Sequence, residues 1–356
     1  MNKSIKIDQP KILFILNHSP DYRESFLEKL SKLYALTVIS FPCEADGLNP
    51  PKKRGPYIYK EIKYISIFGL RIINPFRHSW SNYDLIIASW NPRNPIIILK
   101  YLLFKKKSRH IWWGQIYGRS NSYLIKLLRN ISLKNCNHIL VYSQEIKNRL
   151  EDSIISGKKI TSFNNTSIEE KNIIKLGINP STKLRLIFVG RYQERKKLER
   201  LITIAEFCPF IELRLIGPGI PKNLKIPKHL KSRIELFEKK DGNELLDDMK
   251  WAHMAVNPGH LGLFVMLAGR FHRGIIVDSS SNHAPEVILA KKSKQVFIDF
   301  NNIEKTTECL KNIHMNYELI QQKADDLQFE LTRNFTVEKM VNIHSKVIDS
   351  ISLQNN

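Results

Sequence analysis

The chain has 356 residues, of which 42% are hydrophobic and 10% aromatic, enough apolar matter for two folded domains and too much for a disordered chain. Its four cysteines are far apart, its N-terminal apolar run is too short for a signal peptide, and no stretch approaches the roughly 20 apolar residues of a membrane span, which together favour a cytoplasmic protein. Lys and Arg outnumber Asp and Glu by 56 to 34, so the net charge of +22 calls for an anionic partner or a compositional bias toward Lys.

The first half alternates short apolar runs with helical patterns. A helix is predicted at about 22–33, and strands are predicted at 11–16, 36–40, 84–89, 110–114, 138–143 and 159–163. This alternation is typical of a parallel, doubly wound sheet.

The same rhythm starts again after a segment at 174–182 that contains Gly177 and Pro180. Helices are predicted at about 195–207, 243–250 and 262–272, and strands at 184–190, 211–217, 233–238, 253–259 and 274–279. We therefore expect an α/β protein with two Rossmann-like, doubly wound domains that face each other across a cleft, with ligands at the carboxyl ends of the strands. The expected boundaries are a first domain at 1–173, a linker at 174–182, a second domain at 183–330, and a C-terminal helix at 331–356 that packs back toward the first domain.

The segment "FVGRYQERKKLERLI" is the strongest local signal for a binding site. A strand ends at Gly190, Arg191 follows directly, and Lys196 stands five residues later at the start of a helix. Two cations and the free N–H groups of a helix N-terminus suit a diphosphate. The alternative is a solvated basic turn, because runs such as "RKK" are usually on the surface.

The order of "LIFVGRYQERKKLERLI", "IELRLIGPG", "AVNPGHLGL" and "GIIVDSSSNHAPEV" resembles that of family 4 glycosyltransferases, which have the GT-B fold. The first half is similar more loosely, through "ILNHSPDYRESF", "IWWGQIYGRS" and "ITSFNNTS". The resemblance implies a donor site for a UDP- or GDP-sugar in the second half, with no permanently bound cofactor. Its binding residues would include Gly190, Arg191, Lys196 and, after the next strand, Gly217.

The chain departs from the family at a pair of glutamates, eight residues apart, that in most members contact the donor sugar and the ribose. Residues 249–277 contain no Asp or Glu and instead carry "NPGHLGL", a variant that resembles a subset of the family. The remaining donor-site candidates there are Gly259, His260, Leu261, Gly262 and Leu263, at the start of a predicted helix. Glu286 is the nearest carboxylate; it either supports the donor site, with a catalytic role, or is a solvated or helix-capping residue. His283 has the same alternatives.

His18 ends the first predicted strand and is a candidate acid/base or acceptor-binding residue, although a lone histidine there is more often a hydrogen-bonded structural group. Gln115 lies where relatives often place a histidine, and it cannot exchange protons. Catalysis would therefore depend on Arg191 and Lys196, which stabilise the leaving diphosphate. Trp112 and Trp113 are core residues, or one of them stacks on a sugar.

The resemblance implies a retaining glycosyltransferase that moves a sugar to a saccharide or lipid-linked acceptor in polysaccharide or glycolipid synthesis. The alternatives are a weakly active or inactive nucleotide-sugar-binding protein and a GT-B epimerase. No Asp-x-Asp occurs, so we expect no metal requirement, and no nucleic-acid-binding module is recognisable.

Two basic amphipathic segments predict peripheral binding to an anionic membrane, on its inner face. They are "LKYLLFKKKSRHIWW", with Lys100, Tyr101–Phe104, Lys105–Lys107 and Arg109, and "YLIKLLRNISLK", with Leu124–Leu128, Arg129 and Lys134. The alternative is that the leucines pack on the sheet and the lysines form a solvated rim.

Overall fold

The computed structural model describes residues 9–43, 48–74, 79–103, 109–118, 122–153, 159–240 and 242–352. The chain divides into two compact units, one made of residues 1–167 and 337–356 and the other of residues 168–336. No helix in the described ranges is long and apolar enough to cross a membrane.

The first unit is built on a seven-stranded sheet in which every paired strand is parallel to its neighbour. The strands in chain order, including a separate antiparallel hairpin of β4 and β5, are β1 (Lys11–His18), β2 (Ala35–Phe41), β3 (Ile58–Glu61), β4 (Ile65–Ile67), β5 (Leu70–Ile72), β6 (Leu85–Ser89), β7 (Arg109–Gly114), β8 (His138–Val141) and β9 (Ile160–Ser162). Their order across the sheet is β3-β2-β1-β6-β7-β8-β9. Every residue of β6 and β8 is buried, as expected for parallel strands covered on both faces.

The helices that follow these strands are α1 (Glu24–Ser31), α2 (Pro95–Leu103), α3 (Tyr123–Lys134) and α4 (Gln144–Ser153). Phe26, Leu27 and Leu30 of α1 pack into the core on one face of the sheet. The core on the other face takes Ile97 and Tyr101 of α2, with residues of α3 and α4. The sheet is therefore covered on both sides, and its polar strand ends are left at the edge.

The second unit repeats this architecture around a six-stranded parallel sheet in the order β12-β11-β10-β13-β14-β15. Its strands are β10 (Leu184–Val189), β11 (Ile211–Ile216), β12 (Ile234–Phe237), β13 (Met254–Asn257), β14 (Gly274–Asp278) and β15 (Val296–Ile298). Its helices are α5 (Glu199–Phe207), α6 (Ile220–Asn223), α7 (Leu246–Trp251), α8 (Phe264–Arg270), α9 (Val287–Lys292), α10 (Ile303–Met315) and α11 (Tyr317–Asn334). The order changes direction between β10 and β13, and ligands of doubly wound sheets bind at such a point.

The last helix, α12 (Val337–Ser352), belongs to the first unit, where it packs against α1. Its buried residues include Val337, Met340, His344 and Ile348, whose spacing of three and four residues places them on one helical face. This helix starts at 337 and not at the expected 331, because α11 continues to Asn334.

The expected linker at 174–182 lies inside the second unit, which begins at Ile168. Leu176 and Ile178 are buried in the core of that unit. The fully buried guanidinium of Arg273 donates to the carbonyls of Leu176 at 3.1 Å and Gly177 at 2.9 Å. The segment is therefore packed on the second unit through Leu176 and Ile178 and is not a free connection, although Gly177 and Pro180 themselves are exposed.

Candidate functional site

The carboxyl ends of β10 and β11 touch through two glycines. A Cβ added to Gly217 would lie 1.9 Å from the carbonyl oxygen of Gly190, and Gly217 has a φ of +154°. The backbone N–H of Gly190 also donates to the carbonyl of Ile216 at 2.9 Å. No side chain fits at Gly217, so this edge of the sheet presents backbone directly to its surroundings.

Lys196 ends a 3₁₀ turn, Glu194–Lys196, that connects β10 to α5. Its half-buried Nζ donates to the carbonyl oxygen of His260 at 2.7 Å. Burial, followed by the positive charges of Arg195 and Arg191, lowers the pKa of Lys196 to about 8, while Glu286 opposes the change. The Arg191 and Lys196 predicted as a pair are therefore close enough to repel each other, an arrangement that an anion would relieve.

The loop after β13 packs backbone to backbone on this turn. A Cβ on Gly259 would lie 2.5 Å from the carbonyl oxygen of Arg195 and 2.6 Å from that of Lys196. The N–H of His260 donates to the Arg195 carbonyl at 2.8 Å. Gly259 has no room for a side chain, so no carboxylate can stand at this position of the loop.

Two histidines connect the loop to the segment after β14. His260 Nδ1–H donates to the carbonyl of Asn282 at 2.7 Å. His283 Nε2–H donates to the carbonyl of Asp278 at 2.8 Å, and its Nδ1 accepts the N–H of Leu261 at 3.1 Å. Accepting that N–H requires His283 to be neutral, and burial, the largest cause, lowers the pKa of both rings.

Leu261 is fully buried, whereas Gly262 and Leu263 are partly exposed. A Cβ on Gly262 would meet nothing within 4 Å. The helix predicted to start near Gly262 begins at Phe264 and runs for seven residues. Of the five loop candidates, Gly259 and His260 therefore contact the Lys196 turn and Leu261 anchors the loop. Gly262 borders open space, and Leu263 packs against the core of the second unit.

Glu286 is only 6% exposed, so the solvated interpretation is wrong. It directly precedes α9, but its side chain makes no capping hydrogen bond, so the capping interpretation is wrong as well. Its negative charge raises the pKa of Lys196, which means that the two charges interact. The structure thus brings Arg191, Lys196, Gly259, His260 and Glu286 together.

Sequence reasoning missed an ion pair that supports this site. Arg200 Nη1 donates to Asp278 Oδ2 at 2.8 Å and to the carbonyl of Pro258 at 2.9 Å, so it joins the ends of β13 and β14. Burial alone would raise the pKa of Asp278, but the hydroxyls of Ser281 and Ser280 and the charge of Arg200 outweigh it and lower that pKa. The available signal was an aspartate that ends the otherwise apolar strand "GIIVD".

In the first unit, His18 lies at the end of β1 with both ring nitrogens hydrogen-bonded. Its Nδ1–H donates to the carbonyl of Pro42 at 2.9 Å, and its Nε2 lies 3.3 Å from Arg71 Nη2 and accepts from it. This is the arrangement of a structural histidine, because a proton acceptor must have a free lone pair.

A pocket of about 360 Å³ opens at the carboxyl ends of β1, β6, β7 and β8. The residues that line it are Asn17, Ser89, Trp90, Asn91, Pro92, Trp113, Gly114, Gln115, Ile116, Tyr117, Gly118 and Tyr142. It lies entirely in the first unit, at the edge where ligands of parallel sheets bind.

Both tryptophans of "IWWG" are core residues, so neither is free to stack on a sugar. Trp112 is fully buried and stacks on Tyr101 with ring centroids 4.0 Å apart. Trp113 is 3% exposed, and its indole N–H donates to His344 Nε2 at 2.9 Å. The ring of Trp113 is packed by Phe163 and by the guanidinium of Arg23, which lies 4.6 Å from its centroid.

The structure changes the composition of the predicted membrane face. Lys100 and Tyr101 of α2 are buried, and Arg129 of α3 is buried under Tyr117, so these three cannot contact lipid. Phe104 and Lys105–Lys107 lie outside the described residues. The apolar side chains of α2 and α3 that remain exposed are Leu99, Leu103, Tyr123, Leu124, Leu127 and Ile131.

The fold matches solved glycosyltransferases over nearly the whole chain. A glycosyltransferase from Rickettsia africae has a TM-score of 0.72 at 13% identity, covering 98% of this chain and 100% of that one. Sucrose-phosphate synthase from Thermosynechococcus elongatus has a TM-score of 0.71 at 11% identity, covering 97% and 100%. Anabaena HepE in complex with UDP has a TM-score of 0.67 at 12% identity, covering 96% and 100%.

No family model and no curated protein matches the sequence. The similarity to solved structures is therefore one of fold, and it confirms the predicted class: an α/β chain with two Rossmann-like domains of the GT-B type.

Proposed function

We propose that this protein is a glycosyltransferase whose second unit binds a nucleotide-diphosphate sugar at the edge of the sheet where the Lys196 turn and the 258–263 loop meet. The observation that carries this proposal is the half-buried Lys196, next to Arg191, at the point where the strand order of the second sheet changes direction. The HepE structure of the same fold holds UDP, which supports a uridine donor; a GDP-sugar is the alternative. Isothermal titration with UDP, GDP and ADP tests it, and failure of all three to bind refutes it.

In the proposed reaction, the bond between the anomeric carbon and the diphosphate oxygen breaks, and a bond to the acceptor oxygen forms on the same face of the sugar. The acceptor proton passes to the departing phosphate oxygen. Arg191 and Lys196 stabilise the negative charge that develops on that diphosphate. Glu286 holds Lys196 in place or contacts a sugar hydroxyl, and His18 positions the end of β1 without exchanging a proton.

We further propose that the acceptor is a saccharide or a lipid-linked saccharide, used in polysaccharide or glycolipid synthesis, and that it binds the first unit. Transfer requires no metal in this proposal, so turnover in excess EDTA should equal turnover without it. The anomeric configuration of the product, measured by NMR, tests retention.

One observation favours a second candidate, a nucleotide-sugar-binding protein with little or no turnover. Gly259 leaves no space for a carboxylate at its own position, and residues 249–277 contain no Asp or Glu, so Glu286 is the nearest carboxylate to serve the donor sugar. Incubating the protein with a panel of UDP- and GDP-sugars separates the two: binding without release of the nucleotide, with any acceptor, favours the second candidate. A product whose donor sugar has changed configuration would indicate an epimerase instead.

We propose that α2 and α3 dock on the anionic inner face of a membrane. The exposed side chains of Tyr123, Leu124, Leu127 and Ile131 form a stripe along α3, beside the exposed cation Lys126. The hairpin of β4 and β5, which packs next to α2, adds the fully exposed Phe68 at its tip. Apolar side chains enter the headgroup region while cations attract anionic lipid, so high salt should weaken binding.

Co-sedimentation with vesicles tests this membrane proposal. The double variant Leu124→Glu/Leu127→Glu should lose binding to vesicles rich in phosphatidylserine at low salt. Phe329→Glu, which changes an exposed apolar residue of the second unit, is the matched control and should bind normally. Equal failure of the unmodified protein to bind anionic and neutral vesicles would refute the proposal.

A further inference from the structure

The described residues that line the pocket of the first unit are all uncharged. Its polar lining consists of the amides of Asn17, Asn91 and Gln115, the hydroxyl of Ser89, and the ring substituents of aromatic residues. Among the described residues, no carboxylate, amine or guanidinium lines it. An anionic group placed there would lose its water without gaining a charged donor, whereas hydroxyl groups can exchange water for amides at little cost.

The amides are already oriented. Asn17 Oδ1 accepts from Asn91 Nδ2 at 3.2 Å and from Asn94 Nδ2 at 2.9 Å. Asn91 Oδ1 in turn accepts the backbone N–H of Arg93 at 3.0 Å. These bonds fix which end of the Asn17 and Asn91 amides is nitrogen, so the amino group of Asn17 remains as a donor of known position.

Trp90 supplies a second donor. It is 6% exposed and lines the pocket, yet its indole Nε1–H has no partner within the described part of the chain. A buried donor without a partner is unfavourable, and a hydrogen bond to a ligand oxygen would remove that cost. Its neighbour in the lining, Trp113, has its own indole N–H satisfied by His344. Of these two indoles in the lining, Trp90 is therefore the one whose N–H is left without a partner in the described part of the chain.

We propose that this pocket binds an uncharged sugar residue of the acceptor, with Trp90 Nε1–H and the amides of Asn17, Asn91 and Gln115 as its hydrogen-bonding partners. The proposal rests on the proposed glycosyltransferase function and narrows its acceptor class. An anionic sugar is the competing ligand class, because Arg23 lies behind Trp113, and Arg129 and Arg149 pack on Tyr117. None of these three arginines belongs to the lining itself.

Saturation-transfer NMR on the full chain, with and without saturating UDP, tests the proposal. The probes are the methyl glycosides of glucose, galactose and mannose, and the methyl glycoside of glucuronic acid as the anionic counterpart. We expect at least one neutral glycoside to bind and to be preferred over the uronide by about tenfold or more. Tighter binding of the uronide, or binding of no neutral glycoside at tens of millimolar, would overturn it.

Two variants locate the binding. Trp90→Phe removes the indole N–H and keeps a ring, and we expect about a fivefold weaker affinity for the neutral glycoside. Trp251→Phe makes the same change in the second unit and should have no effect. Should Trp90→Phe fail to fold, Gln115→Ala replaces an exposed lining side chain and should weaken binding in the same direction. Unchanged glycoside affinity in Trp90→Phe or in Gln115→Ala would refute the assignment.

UDP titration of each variant separates the two proposals. Normal UDP binding combined with no glycoside binding overturns the acceptor inference alone. Failure of the unmodified protein to bind UDP, GDP and ADP overturns the proposed function itself.

Discussion

Lys196 donates a hydrogen bond through its ammonium group to the backbone carbonyl of His260, 2.7 Å away. The cation proposed to bind a diphosphate is thus already held by the loop that packs on the Lys196 turn. A phosphate oxygen would replace a neutral carbonyl with a charged acceptor, which forms a stronger hydrogen bond. Binding should therefore exchange the existing contact of Lys196 for a stronger one.

Replacing Lys196 by Met should weaken UDP affinity by about 2 kcal/mol, roughly 30-fold, because a charge-assisted contact to the diphosphate is lost. Arg191→Met should behave similarly, and both should lower turnover by at least as much. Isothermal titration measures the first effect. Lys250→Met, which removes an exposed cation of α7, is the control. Affinity within twofold of the unmodified protein in both site variants would contradict the diphosphate assignment.

UDP affinity should fall as the pH rises above 8. Burial and the neighbouring arginines lower the pKa of Lys196 to about 8, and a bound diphosphate would raise it again. Above pH 8 the free protein must therefore take up a proton in order to bind, which costs affinity as the pH increases. Titration in two buffers with different ionisation enthalpies would measure this uptake. Its persistence in Lys196→Arg would assign it to another group.

Gly259→Ala should disrupt the site, because the added Cβ would lie 2.5 Å from a backbone oxygen of the Lys196 turn. We expect a loss of about 2 kcal/mol or more in the free energy of unfolding and a strongly weakened UDP affinity. Gly262→Ala adds the same methyl group in the same loop, where no atom lies within 4 Å, and should be nearly neutral for stability. Chemical denaturation compares the two variants, and equal effects would mean that Gly259 does not pack against the backbone of the Lys196 turn.

His283 should make stability depend on pH. Its pKa is lowered by burial, so the unfolded chain binds a proton more readily than the folded one, and this part of the stability is lost as the pH falls through about 6.5. A side-chain amide is not protonated in that range, so His283→Asn should show a smaller drop in melting temperature between pH 7.5 and 5. The other buried histidines keep their own contribution in both proteins. The same drop in melting temperature in both proteins would show that the protonation of His283 does not contribute to the pH dependence of stability.

Asp278→Asn should cost about 3 kcal/mol of unfolding free energy, because it removes one partner of a buried ion pair and leaves Arg200 uncompensated. The pair of Arg214 and Glu235 is the comparison, since the Glu235 carboxylate is half exposed. Glu235→Gln should change stability by less than about 1 kcal/mol. Denaturant titration measures the unfolding free energy of both variants. A loss in Asp278→Asn as small as that in Glu235→Gln would mean that Asp278 is not needed to join β13 and β14.

The strands of both sheets could be predicted from the sequence wherever a buried apolar run ends in a turn. All eleven predicted strands occur, each within a few residues of its expected bounds. The strands that were missed, β3 and β15 together with the hairpin of β4 and β5, are short, and β3 and the hairpin are largely exposed. Exposed strands lack the apolar contrast from which a strand is recognised.

The site could be predicted only where local chemistry defines it. Arg191 and Lys196 stand on the one connection between β10 and α5, so their proximity followed from spacing alone. The burial of Glu286 and the bridge from His283 to Leu261 depend on contacts between segments more than 20 residues apart, for which a single sequence has no signal. The requirement for glycine at position 259 could not be predicted either. A side chain there would clash with the backbone of Arg195 and Lys196, which lie far away in the sequence.

The return of α12 to the first unit has a consequence for the order in which a ribosome-bound chain can fold. The second unit is complete once residue 336 has emerged, whereas the first still lacks the helix that carries His344. Until then the indole N–H of Trp113 lacks its native acceptor, and the apolar face of α1 is uncovered. The part of the chain that is made first is therefore the last to reach its native state, and it is the part that depends most on protection from aggregation during synthesis.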